Sequence, residues 1–123
     1  MILVDTSVWV DHLRAREKTL AHLLDTGQVL THPFVIGELA LGNLRQRGVI
    51  LGAIRVLPQA VFAAELVVLH FIDQHHLFGI GIGYVDAHLL AAARLTPATT
   101  LWTRDKRLRA AASRLSLTAN LSP

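Results

Sequence analysis

The chain has no cysteine, which excludes disulfides and thiolate metal sites and leaves no mark of an oxidising compartment. Charge is also scarce. Asp, Glu, Lys and Arg make up 17% of the residues against 52% hydrophobic ones. That balance excludes a disordered, self-repelling polymer and predicts a well-buried core. No apolar run is long enough to span a bilayer; LVVLHFI is too short. No basic segment precedes an apolar run at the N-terminus, and Asp5 interrupts the first apolar stretch, so no signal peptide is expected. The expectation is a soluble cytoplasmic protein with no membrane association. With 123 residues and no repeat, linker or low-complexity segment, residues 1–123 read as a single domain.

Against this sparse background, four acids stand alone. Asp5 is the only charged side chain in MILVDTSVWV, Glu38 the only one between Asp25 and Arg45, and Asp86 the only one between Asp73 and Arg94. Asp105 closes the apolar run TTLWTRD. An isolated carboxylate in apolar surroundings is costly to bury unless something positive compensates it. Four of them, each near the end of a predicted element, point to one shared compensator, and a divalent metal ion is the simplest.

ILV reads as a buried strand that stops at Asp5, with Thr6 or Ser7 capping a helix through VWVDHLR. A second helix is predicted from Glu17 to Thr26, stopped by Gly27. QVLTH is a strand, and Pro33 opens a helix over Phe34–Arg45. Gly48 separates that helix from one over Val49–Leu57, which Pro58 ends. Val61–His76 reads as a helix, HLFGIGIG as a loop and Tyr84–Leu95 as a helix broken by Pro97. TTLWT is a strand, Lys106–Leu115 a helix and LSLT a last edge strand. Strands alternating with helices imply a parallel α/β sheet covered on both faces.

Sites in such sheets form beyond the carboxyl ends of the strands. Asp5 and Asp105 end strands there, and helix starts can deliver Glu38 and Asp86. Clustered carboxylates repel one another, and a cation relieves that repulsion. Hard oxygen ligands select Mg²⁺, with Mn²⁺ as a substitute, over zinc. The chemistry that fits is phosphodiester hydrolysis. Thr6, Ser7 and Thr103 lie beside the acids and can orient them as hydroxyl donors. Five of the twelve basic residues, Arg104, Lys106, Arg107, Arg109 and Arg114, fall in one short segment after the last acid. Such a cluster suits a phosphate backbone, and Arg104, Lys106 and Arg107 are the candidate contacts to it.

The segments VDTS, HPFVIGELALGNL, GYVDAHLLAAA and LWTRDKRL, in this order and spacing, resemble the PIN-domain ribonucleases, and specifically the VapC toxins of bacterial toxin–antitoxin pairs. The resemblance covers essentially the whole chain. It implies a PIN-like three-layer α/β/α domain with a central parallel sheet of four to five strands. It implies that Asp5, Glu38, Asp86 and Asp105 bind Mg²⁺ and carry catalysis, with Asp5 and Asp86 the principal ligands. It further implies a metal-dependent endoribonuclease acting on RNA, commonly tRNA or ribosomal RNA, as the toxin of a type II pair. The implied partners are a VapB-like antitoxin whose tail covers the acidic pocket and a second copy in a homodimer.

Plainer readings compete. Asp5 and Asp105 taken singly suit helix caps, Glu38 an ion pair, and Asp86 a helix dipole; none of these accounts for all four. Asp11, Glu17, Asp25, Glu65 and Asp73 read as surface acids, Asp11 being nearest the site. The seven histidines show no H-E-x-x-H spacing, and Trp9 and Trp102 read as core. GIGIG lacks the Lys-Ser/Thr of a phosphate loop. An aspartyl phosphotransferase would need Asp-x-Asp after the first strand, where Ser7 stands. A PIN-type processing nuclease without a toxin role, and a non-catalytic nucleic-acid-binding module, are the alternatives; the second leaves the acids unexplained.

Overall fold

The computed structural model describes residues 1–121. Three strands, β1 (Ile2–Val4), β2 (Val29–Leu30) and β3 (Thr100–Trp102), form a parallel sheet in the order β2-β1-β3. Around it lie α1 (Thr6–Arg14), α2 (Lys18–Asp25), α3 (Pro33–Ala40), α4 (Arg47–Arg55), α5 (Glu65–Gln74), α6 (Tyr84–Leu95) and α7 (Lys106–Arg114). β1 is central, so Leu3 and Val4 are covered on both faces and wholly buried. Removing each such side chain from water contributes about 2 kcal/mol.

Register places the site. Ile2, Leu3 and Val4 pair with Thr100, Leu101 and Trp102, and the Asp5 N–H donates to the Trp102 carbonyl at 2.9 Å. Asp5 and Thr103 therefore leave the sheet side by side at its carboxyl edge. On the other side Ile2 and Leu3 pair with Val29 and Leu30, and the chain then turns into α3, which carries Glu38. α6 packs through Ala87, Leu89, Leu90, Ala91, Ala92 and Ala93, all buried. Its alanines let the helix lie close against its neighbours, and this fixes its first turn, with Asp86, at the same edge.

The sheet is narrower than the four to five strands expected. The two further lanes exist only as single parallel bridges, Thr31 with Gln59 and Leu101 with Thr118. Each is held by two backbone hydrogen bonds: Thr31 N–H to the Pro58 carbonyl and Ala60 N–H to Thr31, both 2.9 Å, and Leu101 N–H to Leu117 and Ala119 N–H to Leu101. Pro58, with no N–H, limits pairing on the first side. The LSLT segment thus pairs at one point without forming a strand.

Helix ends differ in places. Asp5, in place of Thr6 or Ser7, caps α1. α3 ends at Ala40, whose carbonyl accepts from Arg47 Nη2 at 2.9 Å. Gly48 lies inside the first turn of α4. α5 begins at Glu65, because Gln59 and Ala60 are taken up by the edge bridge with Thr31. Trp9 and Trp102 are core residues, as expected. Among the described residues no helix is long and apolar enough to cross a membrane.

Candidate active site

Asp5 is 6% exposed and is the most tightly held of the four acids. Its Oδ2 accepts from Ser7 Oγ at 2.7 Å, from Thr103 Oγ1 at 2.8 Å and from the Ser7 N–H at 3.4 Å. These donors are themselves ordered. Ser7 Oγ accepts from the Arg104 N–H at 3.0 Å, and Thr103 Oγ1 accepts from the Asp105 N–H at 3.1 Å. The hydroxyls picked out in the sequence thus tie the ends of β1 and β3 together. Thr6, the third, donates to Glu38 Oε1 at 2.6 Å and links α1 to α3.

Asp86 sits at the third position of α6, where its Oδ2 accepts from the Gly83 N–H at 3.0 Å. The helix dipole favours the anion there. Its pKa is nevertheless raised, first by burial and then by the negative charges of Asp5, Asp105 and Glu38, while the Gly83 hydrogen bond pulls the other way. All three other acids act on Asp86, so the four share one electrostatic locality. Asp105 caps α7, its Oδ1 accepting from the Leu108 N–H at 2.9 Å.

One rule covers all four carboxylates: one oxygen is anchored by the protein and the other is left open. Oδ2 of Asp5, Oε1 of Glu38, Oδ2 of Asp86 and Oδ1 of Asp105 are held. Among the described residues their second oxygens have no donor and no cationic side chain pairs with any of the four. The donor set is carboxylate and hydroxyl oxygen, which fits a hard divalent cation. Among the described residues no group of three or more His, Asp or Glu is arranged as it stands to hold a metal ion. Four like charges in one locality repel one another, and each carboxylate turns one oxygen to a local donor.

The basic segment is sorted by the structure. Arg104 donates from Nη1 to Asp11 at 2.9 Å and from Nη2 to Glu17 at 2.6 Å, and stacks 5.8 Å from the centre of the Trp102 ring. Its charge is already matched, and Asp11 and Glu17, taken in the sequence for plain surface acids, are its partners. Arg107 lies along Gly81, with Nη1 only 2.7 Å from where a Cβ would stand. Gly81, at φ +83, is required both for that approach and for its backbone. Lys106 is exposed on the outer face of α7.

The sequence offered His12 and His32 as residues that could line the pocket, and did not show the capping role of His32. His32 caps α3, Nδ1 accepting from the Phe34 N–H at 3.0 Å, and is wholly buried. Burial, and secondarily the charge on His88, lower its pKa to about 4. The signal available was the dipeptide His32-Pro33 at a helix start.

Known proteins agree with this architecture. The chain is 48% identical over 111 residues, 90% of each protein, to Ribonuclease VapC32 of two Mycobacterium tuberculosis strains, CDC 1551 / Oshkosh and H37Rv. Its fold superposes on FitAcB from Neisseria gonorrhoeae with a TM-score of 0.58 at 24% identity, over 92% of this chain and 94% of that one. The family model for the PIN domain matches residues 2–113. The chain belongs to the PIN domain family.

Proposed function

We propose that this protein is a metal-dependent endoribonuclease and the toxin of a type II toxin–antitoxin pair, cleaving RNA, tRNA or ribosomal RNA, to halt translation. The observation that carries the reading is the set of four carboxylates at the carboxyl edge of the sheet, each with one oxygen fixed and one open. The likeness to Ribonuclease VapC32 supports the same activity.

Asp5 and Asp86 are the proposed principal ligands of Mg²⁺, with Mn²⁺ as substitute, and Glu38 and Asp105 complete the set. Bound there, the ion supplies Lewis-acid polarisation of the scissile phosphate and offsets charge on the leaving oxygen. Ser7 and Thr103 hold Asp5 in one rotamer, so its open oxygen needs no reordering when the site fills. Thr6 does the same for Glu38. Lys106 and Arg107 are proposed contacts to substrate phosphates; Arg104 acts at one remove, by fixing Ser7 through its backbone N–H.

The proposed setting is the cytoplasm, as a homodimer with a VapB-like antitoxin. Support for that partner comes from a cleft of about 780 Å³ between α1 and the α3–α4 loop. Val10, Leu13, Leu44 and Ile50 line it beside Arg14 and Arg45, a surface suited to an amphipathic segment with acidic flanks.

Incubation of the purified, antitoxin-free chain with cellular RNA tests the proposal. Discrete fragments with Mg²⁺, none with EDTA and none from Asp5→Asn are expected. Folded protein that leaves RNA intact in both Mg²⁺ and Mn²⁺ would refute it.

A further inference from the structure

The charges of the last helix are not equally occupied. Arg104, ahead of α7, is held by two carboxylates, and Arg114, at its far end, donates to the His75 and His76 carbonyls at 2.7 and 3.3 Å. Lys106 and Arg109 have no carboxylate partner among the described residues. Three positions apart, they share one face of the helix, which Ala110 and Ser113 continue. That face and Thr118 line a recess of about 400 Å³ open to solvent. Thr118 Oγ1 is shielded from solvent and has no hydrogen-bond partner among the described residues.

Two cations without a carboxylate partner, with the Ser113 hydroxyl one turn further along the same face, make an anion site. Among the described residues alanine is the only apolar side chain in the lining, so a base or a hydrophobic side chain would gain little there. The small Ala110 leaves room for a backbone to approach. The face also begins next in the chain to one of the four acids. Asp105 caps α7, Lys106 is the next residue, and Arg109 and Ser113 follow about 6 and 12 Å along the axis from Asp105.

We infer that this face of α7 is a phosphate-backbone site, carrying a single RNA strand away from the four acids along Lys106, Arg109 and Ser113. The inference rests on the nuclease reading and adds the path of the substrate beyond the cut. It assigns Arg109 and Ser113 to substrate binding and takes Arg104 and Arg114 out of it.

The test is equilibrium binding of a labelled single-stranded RNA oligonucleotide to the full chain carrying Asp86→Asn, in EDTA, across a salt series. Each phosphate neutralised on a single strand contributes about −0.7 to the slope of log K against log salt. Adding Lys106→Gln and Arg109→Gln is expected to flatten the slope by about 1.4, and Arg109→Lys to keep it. An unchanged slope in the double variant overturns the inference. So does retained RNA binding with lost binding of polyglutamate, which would give the recess to an acidic protein. Cleavage by the unsubstituted chain, run in parallel, separates the failures. Metal-dependent cutting with an unchanged slope removes only the α7 path; no cutting and no RNA binding removes the nuclease reading with it.

Discussion

Thr103 Oγ1 donates to Asp5 Oδ2 at 2.8 Å, joining the ends of two neighbouring strands whose residues lie 98 positions apart in the chain. The contact follows from register alone: once Val4 pairs with Trp102, the next residues must adjoin. Thr103→Val keeps the shape and removes the donor. RNA cleavage should fall by roughly 10-fold or more, as for other residues that orient metal-ligating carboxylates, with a stability loss of about 1 kcal/mol. Thr103→Ser should restore most of the rate. Equal rates for Val and wild type would remove the hydroxyl from the account.

Arg104 is expected to be a fastener. Its guanidinium bridges Asp11 on α1 and Glu17 at the cap of α2, and the pair lowers the Glu17 pKa chiefly through that hydrogen bond. With the Arg104 side chain 26% exposed, Arg104→Ala should cost on the order of 1 kcal/mol, seen as a lower Tm. The salt slope of RNA binding should stay as in the parent. A flattened slope at unchanged Tm would make Arg104 a substrate contact instead.

Asp86 should be a stability liability in the metal-free protein. Its folded pKa lies above the ordinary 3.8. Below pH 3.8 the group is neutral in both states. As pH rises past that value the unfolded chain loses its proton first, so stability declines until the folded group has ionised too. Asp86→Asn should therefore raise Tm at pH 7 in EDTA and change it little near pH 3. A lower Tm at pH 7 would contradict the raised pKa.

His32 gives the opposite slope. Its pKa falls from 6.5 unfolded to about 4 folded, because burial disfavours the charged ring and His88 adds repulsion. The unfolded chain thus binds the extra proton first on acidification. Stability is full above pH 6.5 and is lost as pH falls towards 4, by at most about 3 kcal/mol. His32→Asn preserves a capping acceptor for the Phe34 N–H and should flatten denaturant midpoints between pH 4 and 6.5. The same steepness in both proteins would mean that His32 does not titrate this way.

Much of the fold was legible because its signals are local. α6 runs over Tyr84–Leu95 as its pattern and Pro97 indicate, and ILV and TLW are short β-rich runs, each followed within two residues by a charge. The isolation of Asp5 and Asp86 in uncharged stretches is also visible without coordinates. What stayed hidden depends on distant partners. Val61–Ala64 carries a helical apolar pattern, yet Ala60 is drawn into an extended bridge with Thr31 and the helix starts only at Glu65. Asp11 and Glu17 look like solvated acids until Arg104, 93 and 87 residues later, is seen between them. The difference between Arg104 and Arg109 is likewise one of neighbours, which a basic run does not display.

The central claim is that the four carboxylates act as one cation site. Calorimetric titration of Mg²⁺ and Mn²⁺ into the RNA-free protein tests it directly, with Asp5→Asn, Glu38→Gln, Asp86→Asn and Asp105→Asn alongside. The account predicts saturable binding to the wild type, abolished by Asp5→Asn and by Asp86→Asn and weakened by the other two, with folding intact. Binding that survives both Asp5→Asn and Asp86→Asn unchanged would contradict it.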